Sequence, residues 1–160
     1  MPDFQQLSQS ECENILTRNS YGRLASYSPS RGETYAIPIS YNYENGSLYF
    51  GSLEGQKLAF MREHPHGICL LVDEVDNERS WSSVLAVGDF DEVTGSEGLG
   101  QEYAAIRRAS GSALQYLFER YSETAIREVL RIFALRIQRL TGRRESWDWQ
   151  GPARVAPRRR

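Results

Sequence analysis

Between Thr34 and Tyr43 the side chains alternate with a period of two. Tyr35, Ile37, Ile39, Tyr41 and Tyr43 fall on one face; Ala36, Pro38, Ser40 and Asn42 fall on the other. That period is the signature of a half-buried strand. Glu44-Asn45-Gly46-Ser47 follows, and Asn-Gly supplies the positive φ angles of a tight hairpin. Leu48–Ser52 then returns along the first strand, which commits this part of the chain to an antiparallel sheet. The same register brings Ser40 toward Gly51 and Ser52. The first face is built for a core. The second is small and polar, and it suits either solvent or a flat ligand lying close to the backbone. Pro38 removes a ladder donor, which places the strand at an edge or a bulge.

The returning strand opens a second unit, Leu48 to Val75, that reads as strand, Gly/Ser corner, short helix and strand. The corner, Gly51-Ser52-Leu53-Glu54-Gly55-Gln56-Lys57, sits where the helix begins. Free N–H groups and the helix dipole favour an anion there. Ser52 adds a hydroxyl and Lys57 a full charge. Lys57 is the only lysine in the chain; every other basic side chain is arginine. A Walker-type phosphate loop is excluded, because the glycine spacing differs and Leu58 follows the lysine. An ordinary strand-to-helix turn with a solvated lysine fits the same residues. The helix buries Leu58 and Met61 and exposes Arg62 and Glu63. His64-Pro65-His66-Gly67 ends it. Two histidines around a proline invite a metal reading, but no third ligand stands at a helpful spacing.

The remaining elements are read in the same way. Ser8 to Asn19 is a helix with capping-box spacing between Ser8 and Glu11, and with Leu7 and Cys12 in staple positions. Tyr21–Tyr27 is a strand closed by the turn cluster Pro29-Ser30-Arg31-Gly32. Gly67–Val72 is a buried strand, Asp73–Ser80 a surface loop, and Trp81–Phe90 a long strand with Gly88 at a bulge or close approach. Asp89, Asp91 and Glu92 read as a solvated edge. Leu99–Tyr121 predicts two short helices. Val129–Leu140 fits helix or strand by period, and its β-branched and aromatic residues favour strand.

Length and composition set the bounds. The chain has 160 residues, enough for one domain with a core, and a net charge of -2. That charge gives the whole molecule no electrostatic case for nucleic acid, and the closing Arg158-Arg159-Arg160 adds little to it. No apolar run is long enough to span a bilayer, and the polar, acidic start is not a secretory signal. Cys12 and Cys69 form no CxxC and read as a buried, reduced pair. The expected setting is cytoplasmic.

Taken together, Tyr21-Gly22-Arg23-Leu24-Ala25, Ile37-Pro38-Ile39-Ser40-Tyr41, Tyr49-Phe50-Gly51-Ser52, Gly55-Gln56-Lys57-Leu58, Glu63-His64-Pro65, Trp81-Ser82-Ser83-Val84 and Leu140-Thr141-Gly142-Arg143 occur in a telling order. In that order the chain resembles the pyridoxamine 5'-phosphate oxidase-like FMN-binding split-barrel superfamily, nearest its nitroimidazole-resistance branch. The resemblance covers roughly residues 5 to 143. It implies a mainly β fold: a six-stranded antiparallel split barrel with accessory helices over residues 1–143, then a partly disordered C-terminal extension over 144–160. It also implies a homodimer with FMN between the subunits. Gln56 and Lys57 would take the flavin phosphate, with Gly51 and Ser52 lining the same cleft. Pro38, Ile39 and Ser40 would run beside the ring, and Trp81 and Ser83 would come from the neighbouring strand.

The implied activity is that of an oxidoreductase using NADH or NADPH on a small molecule. The alternative is a binding module for flavin, haem or a deazaflavin. Departures from the family pattern bear on this. The tail Ser146-Trp147-Asp148-Trp149-Gln150 does not match the oxidases' substrate signature, so pyridoxamine phosphate oxidation is not expected. Gly51 stands where the nitroimidazole branch commonly has His. Gln56 replaces an Arg and removes a charge from the phosphate position. No side chain reads as a catalytic acid or base, and none is assigned as catalytic or metal-binding.

Overall fold

A computed structural model describes residues 3–77, 80–93, 104 and 119–146. The elements are β1 (Asp3–Gln6), α1 (Gln9–Arg18), β2 (Tyr21–Ser28), β3 (Glu33–Ser40), β4 (Asn42–Glu44), β5 (Ser47–Ser52), α2 (Gln56–Glu63), β6 (Ile68–Asn77), β7 (Ser80–Glu92), α3 (Glu123–Val129) and β8 (Arg131–Ser146). The strands join in the order β3-β2-β6-β7-β8-β5-β4, with β1 added on β8. Every pairing is antiparallel.

The two ends of that order, β3 and β4, are one stretch of chain interrupted only at Tyr41. The sheet therefore closes into a barrel through the chain itself. Joining β3 to β4 across Tyr41, and setting the short β1 aside, turns the eight strands into the six of the expected split barrel. Tyr41 is the corner. Its N–H donates to the Ser20 carbonyl at 2.9 Å, its hydroxyl donates to the Leu16 carbonyl at 3.0 Å, and the side chain is buried.

Several sequence expectations are met. Ser8 and Glu11 form the capping box of α1, with Leu7 and Cys12 buried beside it. Asn45 and Gly46 both have positive φ in the hairpin turn. Ile39 and Tyr41 are buried while Ala36 and Pro38 are exposed, and β3 is an edge of the strand order, where Pro38 belongs. The β7–β8 register shifts between Val87 and Gly88, and a Cβ on Gly88 would overlap the Arg136 carbonyl. The barrel interior is filled by Leu24, Leu48, Phe50, Leu70, Val84 and Phe133, with Phe50 and Phe133 stacked at 4.9 Å. Ile15 and Leu16 of α1, and Leu58 and Met61 of α2, join this core.

Other expectations are corrected. The hairpin ladder ends at Asn42↔Tyr49. Beyond it Ser40 pairs with Tyr21, while Gly51 and Ser52 pair with Ile132 and Arg131, because the chain bends at Tyr41 and carries β3 over to β2; β3 and β5 still touch, but no ladder joins Ser40 to the corner. Asp73–Ser80 is not an open loop: β6 runs to Asn77 and β7 begins at Ser80. Their polar residues lie in a ladder whose outer groups meet solvent. Cys69 is only half-buried and lies apart from Cys12 in the sequence and on a different element; both thiols are free. The strand favoured over Val129–Leu140 is present as β8, with its bounds moved: α3 ends at Val129, and β8 runs from Arg131 to Ser146. The sheet thus runs past residue 143. Most of the expected helical stretch Leu99–Tyr121, and the chain from 147 onward, lie outside the described residues.

Two tests follow from this packing. Gly88→Ala forces two backbones apart and should cost at least about 2 kcal/mol in chemical denaturation. Burial first, and then Glu74, pushes the Tyr41 hydroxyl above the ordinary phenol range. The neutral phenol therefore contributes stability that is complete below about pH 10 and is lost as pH rises further, since the unfolded phenol ionises near 10. Melting temperatures should fall above about pH 10. Tyr41→Phe should lessen that fall while costing about 1 kcal/mol at neutral pH through the lost hydrogen bond.

Candidate functional site

At the end of β5 the chain leaves the sheet at Leu53-Glu54-Gly55 and enters α2. Gly55 is the N-cap, in an extended conformation, and offers no side-chain acceptor to the first turn. The first N–H groups of α2 therefore lack a capping side chain. Lys57 lies in that turn. It is half-buried, and burial holds its ammonium pKa below the ordinary lysine range. It has no hydrogen-bond or ion-pair partner among the described residues. A partly desolvated cation beside uncapped amides is an incomplete electrostatic arrangement that an anion completes.

The neighbouring candidates are placed as follows. Gln56 is exposed. Gly51 is half-buried, and Ser52 is buried with its hydroxyl donating to the Leu53 carbonyl at 2.6 Å. That proton is committed locally, which leaves the backbone N–H groups and Lys57 as the donors for an anion. On β3, Pro38 is exposed, Ser40 is half-buried, and Ile39 turns its side chain into the core while its backbone stays on the sheet.

Trp81 and Ser83 are half-buried on β7, opposite Glu145 and Arg143 of β8. Gly51 lies opposite Ile132. At about 3.3 Å per residue, roughly 36 Å of strand path separates those two registers on β8. A single chain therefore holds the candidates in three places: Gly51, Ser52, Gln56 and Lys57 by the start of β8, Trp81 and Ser83 opposite its far end, and Pro38, Ile39 and Ser40 on β3 against β2.

Ser83 opens onto a cleft of about 750 Å³ lined also by Phe4, Gln6, Leu71, Leu85, Thr141 and Arg143, among others. That size is within the roughly 300–1,000 Å³ of small-molecule and cofactor sites. Arg143 lies over the Phe4 ring, 5.7 Å from its centroid. The sequence reading missed this cleft because β1 is only four residues with no alternation. Phe4, an aromatic in an otherwise polar start, is its one signal. The cleft belongs to a wider face where the apolar pairs Leu71–Leu85 and Val75–Trp81 flank the polar pair Asp73–Ser83 across β6 and β7. Val75 and Phe4 are more than half exposed there, at 64% and 55%.

The histidines do other work. His64 meets Tyr27 edge-on, and His66 Nδ1 lies 3.1 Å from Asp89 Oδ1. Among the described residues no group of three or more His, Cys, Asp or Glu is placed to hold a metal. No helix among them is long and apolar enough to cross a membrane.

The antiparallel barrel closed at Tyr41, with an anion-competent helix start outside it, defines a protein of the split-barrel class. The chain matches the family model for pyridoxamine 5'-phosphate oxidase over residues 8–144, and it belongs to that family. Among solved structures it is similar to a FAD-binding protein of Mesorhizobium loti. The two are 30% identical, with 88% of this chain and 97% of that one covered at a TM-score of 0.73. It is also similar in fold to a Bacteroides thetaiotaomicron protein proposed to act in 5-nitroimidazole antibiotic resistance. Here identity is 19%, coverage 91% and 89%, and the TM-score 0.70. An uncharacterized protein of Rhizobium meliloti is 30% identical over 96 residues, covering 60% of this chain and 62% of that relative, less than two thirds of its length.

Proposed function

We propose that the chain binds a flavin nucleotide, FMN in the simplest case, as a homodimer, and acts as an oxidoreductase that takes electrons from NADH or NADPH. The observation that carries this reading is the half-buried ammonium of Lys57, without a partner among the described residues, beside the uncapped start of α2. Similarity to a FAD-binding protein over 88% of the chain supports a flavin as the ligand.

The residues present fit such a group. Lys57 and the first-turn amides would hold the phosphate. Pro38 and Ser40, small and outward-facing, leave a flat ring room against the backbone of β3. Gln56 adds a neutral amide only. Trp81 and Ser83, set apart from Lys57 along β8, would serve a flavin held by a second protomer. The exposed apolar face around Leu71 and Val75 supports pairing of two copies, because monomeric proteins seldom leave such a face bare. A bound flavin supplies the hydride chemistry, while the protein binds and orients it and shields it from water.

The purified protein should be yellow, with flavin absorbance bands that NADH or NADPH bleaches. Apoprotein titrated with FMN and with FAD, followed by flavin fluorescence, separates the two nucleotides. Lys57→Ala should weaken flavin binding about 10- to 100-fold, the worth of a charged hydrogen bond to phosphate. Colourless protein that takes up neither nucleotide overturns the reading. In sedimentation, wild-type protein should run as a dimer. Leu71→Glu should shift it toward monomer and weaken flavin binding together; a monomeric wild type removes the shared cleft.

A further inference from the structure

We propose that Arg62 is a positioning residue that holds the Glu54 carboxylate away from Lys57, so that the anion position at the start of α2 stays open. The inference rests on the reading of that position as a phosphate site, and it names what keeps the site empty of the protein's own anions.

Glu54 lies in the corner three residues before Lys57. A free carboxylate there has two reasons to fold onto the helix start. The dipole and the uncapped N–H groups attract it, and Lys57 offers a partner. Glu54 does neither. Arg62 Nη1 engages Glu54 Oε1, and Arg62 Nη2 lies 3.2 Å from Oε2. Arg131 Nε approaches Oε2 at 3.5 Å. Both carboxylate oxygens are therefore turned to guanidinium groups.

Arg62 is itself held. Its Nε and Nη2 donate to the two oxygens of Glu92, at the end of β7, at 2.7 and 2.6 Å. The chain Glu92–Arg62–Glu54–Arg131 thus ties the corner to β7 and β8. Exposed ion pairs add little to stability, so the fold alone gives weak reason for one arginine to bind two carboxylates. Keeping the sole lysine free of Glu54 is a reason that the geometry does supply. With Glu54 masked, the charge that an incoming phosphate meets is the ammonium.

Because Lys57 is the only lysine, protein labelled with ¹³C and ¹⁵N in lysine gives one side-chain ammonium signal, readable without any ligand. In wild-type protein its titration midpoint should lie below the ordinary lysine value. Arg62→Gln leaves Glu54 with only its longer contact to Arg131 and frees Oε1 to turn toward Lys57; the midpoint should rise and the FMN dissociation constant should increase about two- to fivefold, the range of an exposed ion pair. Arg62→Gln combined with Glu54→Gln should return both readings to wild type. A role for Arg62 in merely bracing α2 predicts no such recovery. Glu54→Gln alone, a conservative exposed change, should leave the midpoint where it was. An unmoved midpoint in Arg62→Gln, no recovery in the double variant, or a lower midpoint in Glu54→Gln each overturns the proposal. If the lysine signal behaves as stated but FMN does not bind, the flavin reading fails and the clamp stands. If FMN binds through Lys57 and the signal ignores Arg62, the reverse holds.

Discussion

The bend at Tyr41 is the constraint on which the rest of the structure depends. A seven-strand path would otherwise be an open sheet with two bare edges, each a template for unwanted pairing. One buried residue, anchored by two hydrogen bonds to the end of α1 and the segment after it, lets a continuous strand serve both edges. Its amide reaches Ser20 and its hydroxyl reaches Leu16, so α1 is tied to the corner as a plug. The capping box at Ser8 and the buried Ile15 and Leu16 are what make that plug rigid enough to receive the bond.

The same bend distributes the candidate site. By sending β3 to β2 and leaving β5 against β8, it puts the small-residue strand around Pro38 and the corner that leads to Lys57 in different ladders. β8 then spans the barrel, with the corner near its first residues and Ser83 opposite one of its last. A ligand touching Lys57 and a ligand touching Ser83 are reconciled, under the proposed function, by a second protomer whose β7 supplies what the first cannot reach. The apolar pairs Leu71–Leu85 and Val75–Trp81, on either side of the polar pair Asp73–Ser83, are physically consistent with that need, since Leu71 and Val75 are exposed on the outer face of β6.

Charge is handled with the same economy. The chain has many arginines and one lysine, and the arginines around α2 are engaged with carboxylates: Arg62 with Glu54 and Glu92, Arg131 with Glu54. Arginine's planar fork suits such pairs. Lys57 remains a compact point charge outside them, and its desolvation makes an anionic visitor worth more than it would be at a fully wetted surface.

Much of this was legible in the residues, and the reason is local. A period of two, an Asn-Gly turn, a Ser–Glu cap and a glycine at a bulge are each settled within a few positions by sterics and hydrogen bonding, and each appeared where expected. Lys57 at a helix start was legible for the same reason. What tertiary structure alone decided was pairing between distant segments. Nothing near Tyr41 announces that the ladder stops there, because the cause is the packing of α1 against a corner twenty-odd residues later. β1 has no pattern of its own and is a strand only because β8 offers it a free edge. Glu54 and Arg62 read as ordinary surface charges until the fold sets Glu92 and Arg131 beside them. The sequence determined which short pieces form and which side chain is the lone ammonium; the fold determined which pieces meet, because closing a barrel is a property of the whole chain.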